Sequence, residues 1–232
     1  MFGSITDRYD AFNHVSTLGQ DLLWRPRAIW ELARVVRGPV RQVLDVGCGP
    51  GELARGFAGQ FPGARVVAVD FSPVMVRSAR SQGPGAPGPA RLRFGVANIA
   101  RLPFSAGSFD VAASAFVARN LKDLGACFRE LRRVLRPGGT LLTLEVSEPA
   151  SPLIGRLFHA HFDRLVPLIG RAFDREGPYS YLPESLRFFP SRERLLDLLR
   201  ESGFPRTKLY PMSLGVVTAY FSEASAAPDG SP

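Results

Sequence analysis

Lysine is nearly missing from this chain. Lys122 and Lys208 are the only two, so arginine carries almost all of the positive charge. Cysteine is as scarce, confined to Cys48 and Cys127, and histidine occurs only as His14, His159 and His161. Two cysteines without metal-ligand spacing exclude a disulfide framework and read as small buried residues. His159 and His161 sit two positions apart, so on a helix they diverge and cannot share an ion. No metal site is expected. No apolar run approaches the roughly 18 residues of a membrane span. The opening MFGSITDRYD lacks the basic-then-apolar layout of a secretory signal. A cytoplasmic chain is therefore expected.

What is present describes one globular domain: 232 residues, 45% hydrophobic and 22% charged. The net charge of +8 implies attraction to anionic surfaces. Charge alone does not choose between lipid headgroups and nucleic acid. A composition rich in Ala, Gly, Pro and Arg is also what a GC-rich genome yields.

The most informative stretch is Val43–Asp70. A β-branched strand, Arg41–Val46, carries the acid Asp45 near its end. A turn with Gly47, Gly49 and Gly51 follows, then a helix, then a second strand ending at Asp70. Strand, glycine turn, helix, strand, acid is how an α/β fold holds an adenosine. The glycines admit a ligand where a Cβ would collide, and Asp70 is placed to accept from ribose hydroxyls. Dinucleotide enzymes put a third glycine where this chain has Glu52. A carboxylate there repels pyrophosphate and suits a ligand with a cationic end. The pattern D-x-G-x-G-x-G resembles motif I of class I S-adenosylmethionine methyltransferases, which implies S-adenosyl-L-methionine as cofactor. By that reading Asp45, Gly47, Gly49, Pro50, Gly51, Asp70 and Phe71 contact it.

Along the rest of the chain, Ser16–Val36 reads as a helix kinked or split at Pro26. Glu52–Gln60 is a short helix. Ser72 caps another, with Pro73 at its first position. Ser81–Ala90 is a low-complexity connection. Arg91–Ala97, Phe109–Phe116 and Thr140–Val146 read as strands three to five. Leu121–Leu135 and Ser191–Ser202 are amphipathic helices, and Ser151–Ile169 is helical and unusually apolar. Lys208–Tyr210 and Leu214–Phe221 are the last strands. The alternation predicts an α/β fold: a Rossmann-like, seven-stranded, mostly parallel sheet with helices on both faces. Ligands then bind beyond the carboxyl ends of the strands, where Asp45, Asp70, Asn98 and Phe116 converge. Asn98 offers a carbonyl to an exocyclic amine and an amide to a ring nitrogen. Ile99 and Ala115 border the same place. Phe104, in LPF…SFD, either covers the adenine face or packs in the core.

Further segments narrow the resemblance. ITDRYDAFNHVSTLGQDLLWR at the N-terminus, AVDFSPVM, FVARNLKD, RVLRPGG, LEVSEP and YSYLPESLRFFP (Tyr179–Pro190) follow in order. Together they resemble the ubiquinone/menaquinone biosynthesis C-methyltransferase family from about Phe2 to Tyr220. Departures exist. Pro50 replaces the usual threonine, Ala115 a frequent serine, Glu148 a basic residue, and Phe158 and His161 two tyrosines.

The resemblance implies methylation of a ring carbon of a lipid-soluble, polyprenylated quinol, either demethylmenaquinol or a benzoquinol precursor of ubiquinone. It also implies that Tyr9, Arg119 and Asn120 line the substrate ring as catalytic residues. Arginine is a permanent cation, so Arg119 is expected to stabilise a developing oxyanion rather than act as a base. Leu153, Ile154, Leu157, Phe158, Phe162 and Leu165 either wall a groove for the isoprenoid tail or pack on the sheet. One methyltransferase domain is expected over 1–221. It comprises an N-terminal helical substrate cap (1–38), a cofactor core (39–148), a lid or substrate segment (149–190), and a C-terminal helix with strands (191–221). Residues 222–232 read as a disordered tail. Transient association with the inner face of the membrane is expected, no nucleic-acid partner, and homo-oligomerisation is left open. The alternatives are a methyltransferase for another small molecule, a nucleic-acid methyltransferase, and a non-catalytic quinone or lipid binder on the same fold. The nucleic-acid reading is disfavoured because SAFVARN replaces the N/D-P-P-aromatic segment.

Overall fold

The computed structural model describes residues 14–15, 17, 19–82, 91–149, 151–161, 166 and 190–226. In chain order the elements are α1 (Asp21–Val35), β1 (Gln42–Val46), α2 (Glu52–Gln60), β2 (Arg65–Asp70), α3 (Pro73–Ser81), β3 (Leu92–Val96) and β4 (Phe109–Ala115). Then come α4 (Leu124–Val134), β5 (Leu135–Val146), α5 (Pro152–Ala160), α6 (Arg192–Glu201), β6 (Arg206–Met212) and β7 (Val217–Glu223). The seven strands form one sheet in the order β3-β2-β1-β4-β5-β7-β6. β1 pairs in parallel with β2 and β4, β2 with β3, and β4 with β5. Only β7 runs against its neighbours, β5 and β6. The expected architecture is thus found, and its strand order reverses between β1 and β4.

Two cores flank the sheet. On one face Ile29 and Leu32 of α1 and Phe57 of α2 pack on Val43, Val66 and Leu142. On the other, Phe128 and Leu131 of α4 and Leu195 and Leu199 of α6 pack on Leu44, Ala112 and Leu141. Strands buried on both faces are largely apolar, as VLDV and LLTLEV show, with Asp45 and Glu145 as buried acidic exceptions. Truncating the fully buried Phe57 to alanine is expected to cost about 3–5 kcal/mol. Buried Asp110 ties the strand starts together. It accepts from Arg41 N (2.6 Å) and Gln42 N (2.8 Å) ahead of and within β1, and pairs with Arg136 Nη1 (2.6 Å) of β5.

Ser72 caps α3 as expected, accepting from Met75 N at 3.4 Å, with Pro73 in the first turn. Cys48 and Cys127 are both buried and free. Several boundaries differ from the sequence reading. α1 is one helix running through Pro26. α4 starts at Leu124 because Asp123 caps it through Ala126 N (2.8 Å), leaving Leu121 outside; Ala118–Asn120 is a separate 3-10 turn. β5 begins at Leu135, with a register shift opposite Phe109 and Val111, and so absorbs the Pro-Gly-Gly stop. Leu214 is not in a strand but in the 3-10 turn Ser213–Gly215, with φ of 59°. β7 runs through Ser222 and Glu223, so the sheet extends past the expected tail boundary. Buried Arg132 holds the next segment, donating to Ser225 O (2.6 Å) and Oγ (3.1 Å).

Candidate active site

The first loop is set by steric necessity. After β1 the chain turns through Gly47, Gly49 and Gly51, with φ of 65°, 52° and 90°. A Cβ at Gly47 would collide with Val117 Cγ2, and one at Gly51 would lie 2.7 Å from Phe94 Cε1. At Gly49 it would meet nothing within 4 Å. Two glycines therefore serve close packing, while the middle one opens on empty space. Asp70 holds this shape from below: Oδ2 accepts from Gly49 N (2.9 Å) and Oδ1 from Ser72 N (2.8 Å). Each oxygen keeps a second lone pair for a ligand hydroxyl. The sequence reading gave Asp70 a ligand contact; the structure adds a loop-forming role.

Over the loop lies a cleft of about 770 Å³ at the carboxyl ends of β1, β2 and β4. Asp45, Gly47, Gly49, Pro50, Asp70, Phe71, Asn98, Ile99, Ala115 and Asn120 all line it. Gly51 lies directly behind, packed on Phe94. Asp45 is only 1% exposed, and its Oδ2 has no hydrogen-bond partner among the described residues. Burial pushes its carboxyl up to about 8, against the opposing charge of Arg25 and with help from the like charge of Asp70. Cys48 lines the cleft too; burial pushes its thiol up, with Asp45 and Asp70 adding to it, so it is no nucleophile. Phe71 presents an open ring, 76% exposed.

Arg25 of α1 enters the site from outside the nucleotide half. It pairs with Glu52 at 3.0 Å and lies 5.3 Å from the centroid of Phe116. Phe116 closes β4 with φ of 60°, a conformation bulky residues rarely adopt. It is held by its N–H to Leu144 O (2.8 Å) and by Trp24, with ring centroids 5.9 Å apart.

Several expected contacts are placed differently. Asn98 is exposed, and its Oδ1 accepts from Ala100 N (3.0 Å), so part of its carbonyl capacity is used in its own turn. Phe104 packs edge-on against Phe109 (5.1 Å, 80°) and belongs to the core. Leu153 is 69% exposed, while Phe158 packs against the core. Arg119 stands beside the cleft rather than in its lining: its guanidinium sits 5.7 Å from the Phe116 centroid. Tyr9, Leu157, Phe162, Leu165 and Tyr179–Phe189 fall outside the described residues or side chains.

Sequence reasoning missed Glu145. It sits on β5, 1% exposed, and accepts from Ala118 N at 2.7 Å. Burial pushes its carboxyl up to about 7, opposed first by the charge of Arg119 and then by the N–H groups of Ala118 and Val117. Glu145 is thus an anchor and counter-charge for the turn that carries Arg119 and Asn120. The signal was an acid inside the apolar run LLTLEV. Among the described residues no cluster of His, Cys, Asp and Glu is arranged to hold a metal ion.

The cleft has the chemistry of a cation-accepting nucleoside site. Three acidic side chains, Asp45, Glu52 and Asp70, stand around a glycine turn open at Gly49, with Glu52 already paired to Arg25. The profile of the ubiE/COQ5 methyltransferase family matches residues 1–223. The chain belongs to that family. A relative from Geobacter sp. (strain M21), named ubiquinone/menaquinone biosynthesis C-methyltransferase UbiE, is 36% identical over 221 residues, covering 95% of this chain and 93% of the relative. A demethylmenaquinone methyltransferase from Deinococcus radiodurans is 40% identical over 217 residues, covering 93% and 88%. The fold is shared with a SAM-dependent methyltransferase from Aquifex aeolicus, at TM-score 0.65 and 16% identity over 93% of this chain and 97% of that one. Membership of the ubiE/COQ5 family accords with the order of N-terminal, cofactor and C-terminal segments read from the sequence.

Proposed function

We propose that this chain methylates a ring carbon of a polyprenylated quinol, converting demethylmenaquinol to menaquinol or acting on the corresponding benzoquinol. The carrying observation is its membership, over nearly its full length, of a family whose curated relatives bear those names. The residues present fit S-adenosylmethionine. Partnerless Asp45 Oδ2, the open face of Gly49 and the remaining lone pairs of Asp70 suit a ligand with hydroxyls and cationic groups. When bound, the cofactor supplies an electrophilic methyl group on a sulfonium.

The chain's own residues do the rest. Asp70 accepts from the ribose hydroxyls, while Phe71, Asn98 and Ile99 border the base. Asp45 and Glu52 favour the cationic end, and Gly47, Pro50, Gly51 and Ala115 shape the walls. Arg119, backed by Glu145, lends positive potential where the quinol hydroxyl gives its proton to solvent, so that the adjacent ring carbon becomes nucleophilic; after methylation that carbon sheds its own hydrogen as a proton and the oxygen is reprotonated. Asn120 and Tyr9 orient that oxygen. An anion and a cation become neutral products, so exclusion of water favours the transfer, and alignment of the two reactants lowers the barrier further. No described helix is long and apolar enough to cross a membrane. A lipid-soluble quinol is reached by transient docking at a membrane surface.

The test is a detergent-micelle assay that offers reduced demethylmenaquinone beside water-soluble phenols. Preference for the quinol by at least about tenfold in kcat/KM supports the proposal. Equal or better use of soluble phenols overturns the substrate while leaving methyl transfer intact.

A further inference from the structure

The carboxyl edge of the sheet carries a feature that the reaction does not use. Between β6 and β7 the backbone passes through Ser213, Leu214 and Gly215 with φ of 48°, 59° and 91°. Consecutive left-handed residues are costly unless the surroundings enforce them. Here they are enforced. Ser213 Oγ accepts from Trp24 Nε1 (2.8 Å) and donates to Gln20 Oε1 (2.5 Å), fixing the turn to α1. The outcome is that Leu214 points into solvent, 77% exposed.

Beside it runs the outer stripe of α1, where Leu23, Arg27, Trp30 and Arg34 recur at helical spacing. Leu23 is 68% exposed and Trp30 42%. The guanidiniums of Arg27 and Arg34 each lie 4.5 Å from the Trp30 centroid. Glu31 lies between them, pairing with Arg27 at 3.0 Å and with Arg34 at 4.0 Å; its side chain is 12% exposed against 48% and 63% for the two arginines, so the stripe keeps one net positive charge and presents it outward. A shallow depression of about 720 Å³ joins this stripe to the turn.

We infer that the Ser213–Gly215 turn and the outer stripe of α1 form a docking face for an anionic phospholipid bilayer, with Leu214 and Leu23 entering the acyl boundary. Charge complementarity selects this occupant: guanidiniums flank a tryptophan, the pairing that suits the headgroup level. Position supports it. Trp24 links the turn to Phe116 at the cleft wall, and Ser147 N donates to Val216 O (2.8 Å), so the turn lies at the edge where the cleft opens. The inference deepens the quinol reading, because a polyprenyl tail can then stay in the lipid while its ring enters the cleft.

The test is co-sedimentation of the full chain, without quinol, with vesicles of phosphatidylglycerol and phosphatidylcholine. Leu23→Ser with Leu214→Asn removes the apolar contacts, and asparagine tolerates the left-handed backbone. Arg206→Gln with Lys208→Gln removes two cations from the opposite edge of the sheet. The first pair is expected to weaken binding at least about tenfold and the second less than about twofold. The first pair should leave turnover of a short-tailed, water-soluble quinol unchanged, so a failure of docking is distinguishable from a failure of the quinol reading. Unaltered vesicle binding by the first pair overturns the inference, as does an equal loss from the second. A dimer in solution that the first pair dissociates also overturns it, because a second copy would then be the occupant.

Discussion

Asp45→Asn is expected to stabilise the cofactor-free chain at alkaline pH and to abolish cofactor binding. Asp45 is buried, and its carboxyl is pushed up to about 8 from the ordinary 3.8. A group whose folded pKa exceeds its unfolded value stabilises the fold fully below the unfolded pKa. That contribution is lost as pH rises through the folded one. Stability contributed by Asp45 therefore falls between about pH 4 and pH 8 and stays low above it. At about 1.4 kcal/mol per pH unit over that gap, the ionised carboxylate costs the native state on the order of 5 kcal/mol by pH 9. Asparagine imitates the neutral acid and escapes this cost. Urea denaturation of both proteins at pH 5, 7 and 9 gives the comparison, with free energies from linear extrapolation. The difference should be about 1.5 kcal/mol at pH 5, about 4 kcal/mol at pH 7, and level off on the order of 5 kcal/mol by pH 9. A pH-independent difference, or a variant less stable at pH 9, refutes the reasoning. Natural retention of a destabilising acid then follows from its function at the cofactor. The same linkage predicts that cofactor binding to the parent chain releases a proton below pH 8, read calorimetrically in buffers of different ionisation enthalpy.

Gly49→Ala should cost only about 1–2 kcal/mol of stability, from its positive φ, yet weaken cofactor binding at least about tenfold in calorimetric titration. Gly47→Ala should destabilise by about 2–4 kcal/mol in chemical denaturation, because its Cβ strikes Val117 as well. Arg119→Ala should hold cofactor affinity within about twofold while lowering turnover of the quinol about 100-fold; unchanged turnover removes Arg119 from the mechanism. Glu145→Gln should flatten the stability profile between about pH 4.5 and 7, since that carboxyl is likewise raised in the fold and loses its contribution as pH climbs. Asp110→Ala should cost about 3 kcal/mol of stability without altering cofactor affinity, because it serves only β1 and β5.

The cofactor half was legible because its signals are local. Positive φ, close packing and the acid after β2 are all written into D-x-G-x-G-x-G and AVD. The sheet followed from apolar runs alternating with amphipathic ones. Leu214 was misread because LGVVTAYF has strand composition, while its conformation is dictated by Trp24, distant in sequence. Leu121 was misplaced although Asp123 carried a capping signal three residues before Ala126. The direction of Arg119 was not legible: a motif fixes the residue, not which way a 3-10 turn aims its side chain. Asp70 and Asn98 share that lesson. Their oxygens were assigned to a ligand, but both also satisfy backbone N–H groups of their own turns. Glu145 had a signal, a lone acid within an apolar strand, that pattern reading passed over.

Methyl transfer from S-adenosylmethionine to a quinol ring carbon is read by mass spectrometry after incubation with reduced demethylmenaquinone and cofactor bearing a deuterated methyl group. The expected product is a quinone carrying the intact labelled methyl on its ring carbon, formed only when Asp45 and Asp70 are present. Label on oxygen, or no labelled quinone while the chain binds cofactor tightly, would contradict it.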